Sequence, residues 1–145
     1  MRWTIAIWVG VLVLFAPTAV MSAADLKDGA IVELSGTLER TWAFGRPNYG
    51  ANPEKDRIDP YLVLKLTHKV DALNTDDFRV DGADRVELIF SGRNSPVWSQ
   101  AQKMVDEQIV VTVSGKLKVT FTVHWGHEPL MIYVNQLAAT TKKLE

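Results

Sequence analysis

Three histidines and a glutamate are the residues best equipped for chemistry. His124, His127 and Glu128 fall within Val123-His124-Trp125-Gly126-His127-Glu128-Pro129, and His68 lies far upstream. Imidazole and carboxylate are competent ligands for a transition metal such as zinc. His124 and His127 would be the first ligands, with Glu128 or His68 completing the set. The stretch lacks the further Cys or His spacing that defines a zinc motif. The plainer reading of the same residues is a tight turn carrying a half-exposed histidine pair.

A second group of residues favours recognition. Phe44-Gly45-Arg46-Pro47-Asn48-Tyr49-Gly50 opens a connection that continues to about Pro60. It is long for a hairpin loop, and such loops are often functional. Trp42, Phe44, Arg46, Asn48 and Tyr49, with Trp125 from the histidine stretch, are ligand- or partner-contact candidates. Aromatic residues would supply buried area, and Arg46 and Asn48 directional hydrogen bonds. The alternative is a loop whose aromatics pack back onto the domain.

Catalytic signatures are absent. The chain has no nucleophile elbow, no phosphate-binding loop and no His-Glu-x-x-His motif. Asp56, Asp59, Asp76, Asp77 and Asp81 sit in turn-like segments, where aspartate serves turn chemistry. The expectation is a non-enzymatic protein with no catalytic residue and no cofactor, the metal reading being the alternative.

The elements that hold these loops are mostly strands. Ile109, Val111, Val113, Leu117, Val119, Phe121 and Val123 alternate with polar residues, which predicts one long half-buried strand. Gly115 within it predicts a bend or bulge. Further strands are expected over Ala30–Trp42, Tyr61–Val70, Val86–Phe90 and Leu130–Leu137. Ser95-Pro96 followed by Val97, Trp98, Ala101, Met104 and Val105 has helical spacing. Ser95 suits the N-cap, Pro96 suits the first helical position, and the helix is expected over Pro96–Gln108.

Three strands, a helix and two more strands is the order of a small five-stranded OB-like β-barrel with its helix between strands 3 and 4. The helix would plug one end through Trp98 and Met104. The runner-up is another small antiparallel sheet with one helix packed on it. In an OB-fold the two candidate loops, between strands 1 and 2 and between strands 4 and 5, flank the binding face.

Met1-Arg2, the apolar run Trp3 to Phe15, Pro17 and the small residues Ser22, Ala23 and Ala24 form the three parts of a secretory signal. The expected organisation is a signal peptide over 1–24, the domain over 25–140 and a tail over 141–145. The apolar run is too short to span a membrane, which needs about 20 residues. No membrane anchor is expected after cleavage, and a periplasmic or secreted location follows. The chain has no cysteine, so no disulfide supports the fold. It carries 16 Lys and Arg against 17 Asp and Glu. Removing Arg2 with the signal leaves a net charge of −2. That balance argues against nucleic-acid binding, which favours a basic excess.

Leu34-Ser35-Gly36-Thr37-Leu38, Phe44 to Tyr49, Leu62-Val63-Leu64-Lys65-Leu66 and Val113-Ser114-Gly115-Lys116-Leu117 resemble motifs of an exported bacterial family designated domain of unknown function 4431. The likeness runs from about Gly29 to Leu137, with Gly-Arg-Pro-Asn-Tyr its most specific part. The family often has a cysteine after its second strand and a run of adjacent histidines. Here Thr67 to Val70 holds no cysteine, and Trp125 and Gly126 separate His124 from His127. The resemblance implies an exported OB-like domain and no established activity. The function expected is a binding or accessory domain of the cell envelope, contacting a partner protein, a glycan or a small ligand.

Overall fold

The computed structural model describes residues 25–120 and 127–140. The expected signal segment, the expected tail 141–145, and residues 121–126, with His124 and Trp125, lie outside these residues. The fold is mainly β with one helix. In chain order it has β1 (Leu26–Lys27), β2 (Ile31–Phe44), β3 (Ile58–Leu73), β4 (Arg79–Ile89), α1 (Pro96–Glu107), β5 (Val110–Val119) and β6 (Leu130–Ala139).

The strands form a six-stranded sheet in the order β1-β3-β2-β5-β6-β4, and β4 also pairs with β3. Each of β2 to β6 therefore has a neighbour on both sides. The pairings are antiparallel except β4–β6 and the two-residue β1–β3, which are parallel. β2 serves two partners along its length. Its first half pairs with β5 (Ile31↔Lys116 to Thr37↔Val110), and its second half pairs with β3 (Gly36↔Leu66 to Phe44↔Ile58). Gly36 lies where the two ladders overlap. A Cβ there would stand 2.1 Å from the Lys65 carbonyl oxygen, so only glycine permits this approach of backbones.

Alternation decides what is inside. Leu38, Leu62, Leu64, Val86, Leu88, Val111, Val113, Leu117, Leu130 and Ile132 pack into one core cluster. Gly115 sits beside a register shift in the β5–β6 ladder, with Ser114 opposite Gln136 and Gly115 opposite Val134. The bulge expected near Gly115 thus places its extra residue, Asn135, on the partner strand.

Helix α1 begins as the sequence predicts. Ser95 is extended, its hydroxyl accepts the Trp98 amide at 3.1 Å, and Pro96 follows. Its deepest contacts are Ala101 and Val105, while Trp98 and Met104, the expected plug, are only partly buried. Small residues let the helix axis approach the sheet, which leaves the large ones at the margin.

The strands differ from expectation in two places. β4 starts at Arg79 rather than Val86, and β1 adds a strand. Arg79 to Arg85 is polar and lacks regular alternation. Its ladder with β3 is broken by register shifts, and Gly82 takes a left-handed φ of 61°. β5 ends at Val119, and the rest of the predicted strand, Phe121 to Val123, lies outside the described residues.

Candidate functional site

β2 and β3 continue past their other partners. β5 leaves β2 at Thr37, and β4 leaves β3 at Leu62. Beyond those points only the β2–β3 pairing remains, ending at Phe44↔Ile58. The result is a two-stranded arm. Trp42 lies opposite Pro60 and Phe44 opposite Ile58, so the four side chains share one face. Trp42 meets Phe44 edge to face, with centroids 5.4 Å apart. Trp42 is still 57% exposed and Ile58 59% exposed.

The tip of the arm is built around Asp56. Its carboxylate accepts the backbone amides of Asn48 at 2.7 Å, Gly50 at 2.7 Å and Asn52 at 3.3 Å. Burial opposes ionisation of Asp56, but these amides and the Asn48 side chain outweigh it and hold its pKa below the ordinary value. Gly45 donates to the Arg57 carbonyl and Arg57 to the Arg46 carbonyl, which continues the hairpin into the loop. Tyr49 and Gly50 carry positive φ, and a Cβ on Gly50 would come within 3.3 Å of the Phe44 ring.

Trp42, Phe44, Arg46, Asn48 and Tyr49 therefore do fall in one ordered unit. Their parts differ from expectation. Asn48 gives both its backbone and its side chain to Asp56, so it organises the loop. Arg46 is exposed, and Tyr49 is half-buried.

The histidine stretch behaves differently. Val63, Glu87 and Met131 form a row across β3, β4 and β6 on the side opposite the core. All three are nonetheless buried. His127 and Glu128, just before β6, bond to this row through Glu87. The His127 ring stacks on Tyr61 at 4.5 Å, and Glu128 accepts from Arg85 Nε at 3.1 Å and from the Tyr61 hydroxyl at 3.4 Å. Arg85 also bonds Glu39 at 3.1 Å. Glu87 accepts the backbone amides of His127 at 2.5 Å and Glu128 at 3.3 Å. Burial pushes the Glu87 carboxyl above its ordinary range and Glu128 adds to this, against the two amides. Burial, with Glu128 and Glu87, likewise pushes the Tyr61 phenol up.

His68 does not join this cluster. It is exposed on β3, seven residues from Tyr61, which is roughly 20 Å along a strand. The structure thus separates His68 from His127, and no three metal-capable side chains converge among the described residues. Glu87, Tyr61 and Arg85 escaped the sequence reading. One signal was present: Glu87 is a lone charge in the apolar run Val86 to Phe90.

At the base of the arm a cavity of about 180 Å³ opens between β2, β3 and α1. Arg40, Pro60, Arg93, Trp98 and Gln102 line it, with Tyr61 and Leu62. Arg40 bonds Gln102 at 2.8 Å and pairs with Asp106 at 3.5 Å, which ties the arm to the helix. Trp98 is steadied by Phe90, 5.1 Å away and nearly perpendicular. Compared with known proteins, the chain matches no family model, no curated protein and no solved structure.

Proposed function

We propose that the chain is an exported, non-enzymatic binding domain built on an OB-like five-stranded barrel, and that it grips an envelope partner protein with its β2–β3 arm. The continuous pairing of β2 to β6 supports the barrel reading. The secretory pattern over Met1 to Ala24 supports export, and the motifs from Leu34 to Leu117 support kinship with the exported family they resemble. The observation that carries the binding reading is the face formed by Trp42, Phe44, Ile58 and Pro60. Large apolar side chains left open on an arm tied down by an internal carboxylate have no folding role that requires their exposure. Trp and Arg are also the types that dominate binding energy at protein interfaces.

The test is a native capture from the envelope fraction with wild-type protein beside Trp42→Ala and Ile58→Ala. A partner retained by wild type and lost by both variants supports the reading, provided both keep wild-type urea midpoints. A partner held equally by all three refutes it. The metal reading has less support, because the His127 ring and the Glu128 carboxylate already have protein partners.

A further inference from the structure

We propose that the cavity between the arm and α1 is a binding site for a small organic carboxylate bearing one ring. Its lining has a marked charge character. Arg40 and Arg93 both contribute, and none of the lining residues is acidic. The chain as a whole has net charge −1, so this pairing of guanidinium groups does not reflect bulk composition.

The two arginines differ in what they already hold. Arg40 is bound by Gln102 and Asp106. Arg93 has no carboxylate partner among the described residues. A free guanidinium at the rim of a partly apolar cavity suits a carboxylate, which it can bond in bidentate fashion.

The rest of the lining sets the other half of the ligand. Trp98 and Pro60 offer flat apolar surface, and the Phe90 contact fixes the Trp98 ring in place. A volume of about 180 Å³ is small beside the several hundred Å³ that drug-sized ligands occupy, so one ring is the limit. A bare inorganic anion would leave the apolar walls wet. A neutral ring would leave Arg93 without a partner.

A second hollow among the described residues lacks this combination. It measures about 460 Å³, and Asp28, Lys116, Lys118 and Tyr133 are among its lining residues. There Lys118 is already paired with Asp28 at 3.3 Å. In the Glu87 cluster, Arg85 is already paired with Glu39 and Glu128.

The two sites share Pro60, but the inference can be tested separately from the partner reading, because Arg93 and Trp98 are not on the arm's apolar face. The test is a titration of ¹⁵N-labelled protein with phenylacetate, read at the Trp98 indole N–H and assigned with Trp98→Phe. Saturation at about millimolar ligand or below is expected, with phenylacetamide and acetate each about tenfold weaker. Arg93→Gln should weaken phenylacetate about tenfold. Trp42→Ala should leave its binding unchanged, which keeps the failure of this inference distinct from the failure of the partner reading. No saturable shift, equal binding of phenylacetamide, or unchanged affinity in Arg93→Gln would overturn it.

Discussion

Replacing Glu87 by glutamine separates charge from hydrogen bonding where the chain folds over the outer side of β3 and β4. Glu87 accepts the His127 and Glu128 amides through one carboxylate oxygen. Glutamine has the same shape and keeps an oxygen for both, but it does not titrate. Burial raises the folded-state pKa of Glu87 above the ordinary 4.5. The folded protein therefore holds this proton more tightly than the unfolded chain does. The stabilisation from that difference is complete below the ordinary value and is lost as pH rises through the raised one. Its size is about 1.4 kcal/mol for each tenfold difference in proton affinity between folded and unfolded states. Urea denaturation of wild type and Glu87→Gln from pH 3.5 to pH 7 reads it. The variant should gain on wild type as pH climbs above about 4.5 and then hold a constant lead. Glu87→Ala, which leaves both amides without an acceptor, should be about 2 kcal/mol less stable than Glu87→Gln across the range. Parallel pH profiles for wild type and Glu87→Gln would refute the reasoning.

Three further outcomes are expected. Gly36→Ala puts a methyl against the Lys65 carbonyl, a backbone group that cannot swing away, and should cost about 3 kcal/mol in urea unfolding; a loss under about 1 kcal/mol would mean the strands part easily there. Asp56→Ala should abolish hydrogen-exchange protection at Asn48, Gly50 and Asn52 while leaving core amides protected. Because the folded pKa of Asp56 is lowered below 3.8, its contribution is present above that value and lost as pH falls through the lowered one, so wild-type protection factors at the tip should drop in acid and those of Asp56→Ala should not. Ser95→Ala removes the acceptor of the Trp98 amide and should lower stability by about 1 kcal/mol, an unchanged urea midpoint counting against the cap.

The sequence was most legible where one physical signal dominated. Val111, Val113, Leu117 and Val119 alternate cleanly and are buried, as a half-buried strand requires. The cap and first turn of α1 follow from Ser95-Pro96 alone. The early part of β4 was illegible because Arg79 to Arg85 buries little and pairs irregularly, so no period of two survives. The tip of the arm was legible only in outline. Aspartate at position 56 reads as turn chemistry, and it is that, but three amides from different residues converge on it through a fold of the loop that spacing does not encode. Glu87 was hidden for a related reason. It accepts the amides of His127 and Glu128, about forty residues later, and local pattern carries no such contact.

The two loops that looked equivalent in sequence differ in what holds them, and that difference bears on where binding can occur. Asp56 satisfies the tip of the arm from within, so Trp42 and Ile58 need no further contact and remain open. The segment at His127 and Glu128 has no such internal anchor among the described residues. It draws on Glu87, Tyr61 and Arg85 of β3 and β4 and lies against them. In OB-folds the face of the second and third barrel strands binds oligonucleotides and oligosaccharides, and under the proposed barrel reading β3 and β4 would supply that face. Here Val63, Glu87 and Met131 on it are already buried. Admitting a ligand would mean breaking the Arg85–Glu128 bond and leaving two amides and a carboxylate unpaired, a cost that the arm and its cavity do not carry. Under the proposed binding reading, recognition falls to the core-side face of the arm, where Trp42 and Ile58 are open to solvent, and to the neighbouring cavity, where Arg93 has no carboxylate partner among the described residues.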